Sequence, residues 1–265
     1  MSRALLLRVL RDRRRGLAGW ATGIVALVAV QVSVYPTIRD SQQGWSDLTK
    51  QFPEAFQQIF RMNDYTSPAG YLTTELFAIT LPLIFIAIGA TWGARAAAEE
   101  EEQRTADLLM SLPVSRSSIL LTRIAGVLLT LVMMAVLVVV SLATGTRAAD
   151  MRIATVRIVH GAVALVLLGA VFAAFAVAVG CATGRRGASL AVSLTAALVM
   201  FVLYSLAPLV GAFGDILFLN PFQWTLGSQP LVHGLSAGYS LVSLVVTASL
   251  LLMGNRAFDH RDIHT

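Results

Sequence analysis

Residues 158–184, IVHGAVALVLLGAVFAAFAVAVGCATG, hold no Asp, Glu, Lys or Arg and are bounded by Arg157 and Arg185. About 20 mostly apolar residues in a helix cross the hydrocarbon core of a bilayer, and this stretch is long enough to do so. The same pattern recurs outward along the chain. Charge-free stretches occupy 16–38, 76–94, 124–146, 187–214 and 216–255. The last has room for one span and a non-spanning piece, and its span falls near 237–254, after Pro221, Pro230 and His233. Six spans result, over 17–35, 72–95, 118–144, 156–182, 188–212 and 237–254. No period-two strand pattern recurs, which argues against an outer-membrane barrel.

Composition agrees. Of 265 residues, 56% are hydrophobic and 13% charged, and the mean hydropathy is +0.73. A soluble domain carries about 25% charged residues, so this chain lacks the charge to cover a water-exposed surface. It also lacks the polarity of a disordered chain. A pI near 10.0 could indicate nucleic-acid binding. Here the basic residues flank apolar runs and read as topology signals, so no nucleic-acid partner is expected. Fourteen of the 20 basic residues lie on the side of the two termini if six spans are drawn, and six on the other. That bias places both termini in the cytoplasm of a bacterial-type inner membrane. Arg147, Arg152 and Arg157 run against it. The single cysteine, Cys181, excludes an intramolecular disulfide framework.

The segments between spans differ in character. Residues 2–15 put Leu5, Leu6, Val9 and Leu10 on one face and arginines over much of the rest. This predicts an amphipathic helix on the inner membrane surface, with a plain basic flank as the alternative. The N-terminal apolar run is too long for a signal peptide. Residues 36–70 form the largest outer segment. Phe52, Phe56, Ile59 and Phe60 fall at helical spacing around Pro53, which fits a short capping helix better than a ligand lid. Residues 213–236, FGDILFLNPFQWTLGSQPLVHGLS, are apolar but broken by Gly214, Pro221, Gly227 and Pro230. They read as a short re-entrant hairpin before the last span, because irregular backbone at membrane depth must be buried in protein or line a cavity.

The cytoplasmic stretch after the second span is the most specific. Strong helix formers run from Ala96 to Ser111 and include the acidic run Glu99–Glu102. Leu108, Leu109 and Leu112 give the stretch an apolar edge, and Pro113 ends it. A helix over 97–113 therefore projects from the membrane with a leucine edge suited to a partner groove. Residues 98–126, AEEEEQRTADLLMSLPVSRSSILLTRIAG, resemble the cytoplasmic coupling segment of ABC-2 type transporter permeases. Glu100, Glu101, Thr105, Leu108, Leu109, Leu112, Pro113, Val114, Ser115 and Arg116 stand at the pattern's positions. Arg104 and Ala106 depart from the commonest version. Thr66–Leu72 resembles the entry to the second span of that family.

The resemblance implies an all-α integral membrane fold, with six spans per subunit and two subunits per pore. It also implies a cytoplasmic ATPase pair that docks on the coupling residues and binds ATP and magnesium itself. The nearest branch is that of drug and antibiotic exporters. The residues agree with one part of this. A phosphate-binding loop needs Gly-x-x-x-x-Gly-Lys-Ser/Thr, and Lys50, the only lysine, sits in Leu-Thr-Lys-Gln-Phe. No cofactor is therefore expected on this chain.

Candidate substrate contacts are sparse. Glu75, His160 and Arg123 lie near span ends, where each could snorkel to the interface. Phe172, Phe175, Phe201 and Tyr204 could line an apolar path, although core packing fits them better. The absence of charge at span centres suits a hydrophobic or amphipathic cargo. A membrane enzyme is disfavoured, because the histidines at 160, 233, 260 and 264 make no metal-binding or catalytic spacing. A non-transporting scaffold or sensor subunit remains the alternative. A homodimer is the commoner arrangement, with a second, similar permease as the other choice.

Overall fold

The computed structural model describes residues 14–41, 64–102 and 116–260, together with Gly44, Leu48, residues 51–53 and Gln57. Residues 2–13 of the expected surface helix at 2–15, and Phe56, Ile59 and Phe60 of the outer segment, lie outside the described residues, as does all of 103–115. Every regular element is helical, and no strand occurs among the described residues. Six helices are long and apolar enough to cross a membrane. The chain is thus an all-α, multi-pass membrane protein.

The first span is α1, Arg14–Asp40. The second starts as α2, Pro68–Leu72, passes through a π-helical turn at Thr73–Phe77, and continues as α3, Thr80–Glu102. The third, fourth and fifth are α4 (Arg116–Ala148), α5 (Thr155–Thr183) and α6 (Arg186–Leu206). After α6 come the single turn α7, Gly211–Gly214, a 3₁₀ turn at Leu217–Leu219, α8 (Pro221–Leu226) and a π-helical turn at Gln229–His233. The last span is α9, Ala237–His260.

Contacts fix how the spans run. Gly89 and Gly93 of α3 meet Gly169 and Ala173 of α5 in the same order, and Gly254 of α9 meets Ala178. These three helices therefore run side by side in one direction. The ends of α3 and α9 and the start of α4 gather at one face of the bundle, here called basal. The ends of α1 and α4 and the broken piece 207–236 lie at the opposite, apical face.

The core is built on α5. Two-thirds of its apolar window is buried, at 67%, against 17% for α1, 22% for α6 and 17% for α9. Lipid tails are as apolar as leucine, so burial alone does not hold such helices together; close van der Waals packing does. The glycines make that packing possible. A Cβ on Gly93 would stand 2.5 Å from the Ala173 carbonyl oxygen, and one on Gly89 would run into the Gly169 carbonyl. Only glycine lets the α3 and α5 backbones approach this closely.

The outer helices present one stripe each. In α1, Ile24, Val28, Val32, Tyr35 and Ile38 are buried at helical spacing, while Val25, Val30 and Val34 are exposed. In α6, Ser189, Ser193, Ala197 and Tyr204 face inward. The turn from α5 to α6 is held tightly. Gly184 takes the left-handed conformation at φ 64° that ends α5, and the Ser189 hydroxyl donates to the Ala176 carbonyl at 2.6 Å.

The broken apical piece has its own caps. The Asn220 side chain accepts from the Phe222 N–H at 3.0 Å and donates to the Met200 carbonyl at 2.8 Å, tying the start of α8 to α6. Phe222 is fully buried against Phe172, Phe201 and Tyr204, with ring centroids 5.6–6.1 Å away. Those three aromatic residues form core here rather than an open path. The part from Asn220 to Leu226 is thus buried in protein, as irregular backbone at membrane depth requires, whereas Leu209, Val210, Ile216, Phe218 and Leu219 before it are exposed.

Candidate functional site

Two regions stand apart from plain helix packing. One is the basal pair of helix ends that flank the expected coupling segment. The other is a polar network at the apical end of the first two spans.

At the basal end, α3 continues without a break from the span through Glu102, so Glu100 and Glu101 have helical backbone. The chain resumes as α4 at Arg116. Arg104, Thr105, Leu108, Leu109, Leu112, Pro113, Val114 and Ser115 lie between these points, outside the described residues. The two flanking helices are joined by packing and by a polar contact. Trp92, Ala96 and Ala97 of α3, Leu120, Ile124 and Val127 of α4, and Ala173, Val177 and Cys181 of α5 form one buried cluster. Leu251 and Phe258 of α9 pack on it. Arg123 donates from Nη1 to the Ala96 carbonyl at 3.3 Å. Its guanidinium therefore spends at least one donor on the neighbouring span. A Cβ on Gly180 would stand 2.6 Å from Ala97 Cβ, so α5 touches α3 just before the acidic run begins. These contacts tie the helices on either side of 103–115 to α5, the most buried helix.

At the apical end, Glu75 lies within the π-helical turn of the second span. A π-turn widens the helix by one residue and re-aims the side chains it carries. Glu75 is half-buried. Its Oε1 accepts from the Tyr65 hydroxyl at 2.7 Å, and its Oε2 accepts from Gln31 Nε2 at 3.4 Å. Gln31 Oε1 in turn accepts from the Tyr71 hydroxyl at 2.8 Å. Tyr35 of α1 donates to the Thr66 carbonyl at 3.3 Å. One carboxyl group thus ties together α1, the chain just before α2, and the second span. Burial raises the Tyr65 phenol above its ordinary range, and the hydrogen bond to Glu75 adds to the effect. Glu75 is therefore more than a residue that snorkels to the interface.

His160 differs as well. Its Nδ1 is buried with no hydrogen-bond partner. It lies with Arg157 Nη1 against Gly234, whose φ of 88° and crowded Cβ position both require glycine. The hairpin's return therefore sits directly over the start of α5.

Sequence reasoning picked out Glu75 but not its partners. The signal was present: Tyr71 and Glu75 are one helical turn apart, and Gln31 is the only amide side chain in the first span.

An all-α, multi-pass bundle whose second and third spans flank a charged linking segment fits a membrane permease subunit. The chain belongs to the ABC-2 family transporter proteins, whose family model matches residues 4–263. It is accordingly a transmembrane permease subunit of an ABC transporter, and its working partner is an ATP-binding subunit. No curated protein sequence matches it.

Proposed function

We propose that this chain is the pore-forming half of an ATP-driven exporter that moves a hydrophobic or amphipathic molecule, such as a drug, an antibiotic or a lipid-like compound, outward from the cytoplasm or inner leaflet. Two identical copies would pair with two ATPase subunits in a bacterial-type inner membrane, with both termini in the cytoplasm. The observation that carries this reading is the basal clamp. The helix ends on either side of 103–115 are packed onto α5, so closure of an ATPase dimer against Leu108 and Leu109 has a rigid route into the bundle. Small, apolar span centres support a cargo without fixed charge at mid-membrane. The exposed sides of α1, α6 and α9 leave ample surface for lipid and for a second copy.

ATP can shift the bundle only as far as ATPase binding differs between its two conformations, and so the coupling contacts must change with the nucleotide state. Native mass spectrometry of the complex, withdrawn from its own membranes by a tag on this chain, tests the composition. Two copies with two ATPases are expected. A second, different permease would replace the symmetric pair. Isolation without any ATPase would overturn the exporter reading in favour of a scaffold or sensor.

A further inference from the structure

Within the apolar spans proper (16–40, 68–97, 118–148, 155–183, 186–206 and 237–258), Glu75 is the only carboxyl group apart from Asp40 at the end of the first. A charge at that depth is costly, and it is ordinarily offset by an opposite charge close by. No Arg, Lys or His pairs with Glu75 among the described residues. Both side-chain donors to it are neutral, and the Gln31 amide reaches it only at 3.4 Å, near the outer limit of a hydrogen bond. Around it stand three buried tyrosines. The Tyr35 and Tyr71 ring centroids are 5.4 Å apart and tilted, and those of Tyr65 and Tyr71 are 5.5 Å apart, edge to face. Arg39 lies near Tyr35 but is paired with Asp40, and no basic side chain among the described residues pairs with Glu75. Carboxyl oxygen combined with electron-rich ring faces is the chemistry that recognises a soft organic cation.

We propose that Glu75, with Tyr35, Tyr65 and Tyr71, is a binding point for the cationic group of an amphipathic cargo at the apical end of the first two spans. In this conformation the protein's own donors fill it: the Tyr65 hydroxyl and the Gln31 amide hold the carboxyl oxygens that a cation would take. The π-turn at Thr73–Phe77 lets Glu75 face these partners while Leu76 and Phe77 stay in the core. The proposal rests on the permease reading and narrows its cargo to molecules that carry positive charge.

The test is equilibrium binding to the full-length permease in lipid nanodiscs. Two probes of similar shape are used, tetraphenylphosphonium and neutral triphenylphosphine oxide. Glu75→Gln keeps an acceptor for Tyr65 and removes the charge. It is expected to weaken the cation about tenfold and to leave the neutral probe within about twofold. Tyr65→Phe keeps the ring and removes the competing donor, and it is expected to bind the cation at least as tightly as the wild type. The proposal is overturned if the wild type does not bind tetraphenylphosphonium. It is overturned equally if Glu75→Gln weakens both probes alike or neither, or if Tyr65→Phe weakens the cation selectively. Should Glu75→Gln fail to fold, the Tyr65→Phe result decides. Co-purification with the ATPase is measured alongside. An intact, pumping complex indifferent to Glu75→Gln removes the cation site and leaves the permease reading standing, whereas cation binding by a chain that recruits no ATPase does the reverse.

Discussion

The positions that tolerate least are those where a backbone fills the space a side chain would need. Gly93 and Gly19 make the comparison, because a Cβ on Gly93 would meet the Ala173 backbone and one on Gly19 would meet nothing within 4 Å. Gly93→Ala must therefore part α3 from α5, at about 1–3 kcal/mol. Gly19→Ala should be neutral or slightly stabilising, since alanine is the better helix former. Thermal unfolding in detergent separates the two, and equal melting temperatures would contradict the packing described. Tyr65 gives a second prediction with a definite sign. Its phenol is held above its ordinary value of 10.0, so the folded state keeps the proton where the unfolded chain loses it. That contribution is complete below pH 10 and is lost as pH rises beyond it. Unfolding temperature should fall above pH 10, and less steeply in Tyr65→Phe.

Whole elements tell where coupling and hairpin depend on neighbours. Replacing Leu108 and Leu109 together with Asp should leave the bundle inserted and abolish ATPase co-purification; undiminished recovery of the ATPase would refute the docking edge. Gly180→Val should act differently, because it presses α5 away from Ala97 and leaves the sequence of the linking segment unchanged. The expected outcome is a complex that still hydrolyses ATP but transports several-fold less per ATP, read from parallel ATPase and vesicle-uptake assays. Much of this architecture was legible in the residues. Runs without charge mark helices in a bilayer because a buried charge is so costly there, and the prolines and glycines of 213–236 announced that no straight helix could pass. The π-turn was not legible, since nothing in Thr-Thr-Glu-Leu-Phe distinguishes it from ordinary helix. Nor was the depth of Glu75, which depends on Gln31 and Tyr65 arriving from other parts of the chain. The aromatic residues of α5 and α6 were ambiguous for a similar reason: whether Phe172 and Tyr204 line a path or a core is decided by where Phe222 lands.

Across the whole molecule, orientation can be read with the chain's own chemistry. Cys181 is fully buried, so a maleimide should not modify it in the folded protein. In a Cys181→Ala background, a cysteine at Ser41 should react from outside the cell with a membrane-impermeant maleimide. Labelling only after the membrane is broken would invert the topology. The uneven burial of the spans has a consequence for how the protein is made. Synthesis proceeds from the N-terminus, so α1, α3 and α4 leave the ribosome before α5 exists. The glycine face of α3 has no other surface to close on until residues 155–183 emerge. The first three spans can already meet one another through the Glu75–Gln31 network and the α3–α4 packing, but the glycine face of α3 must wait in the membrane with its intended contact unmade.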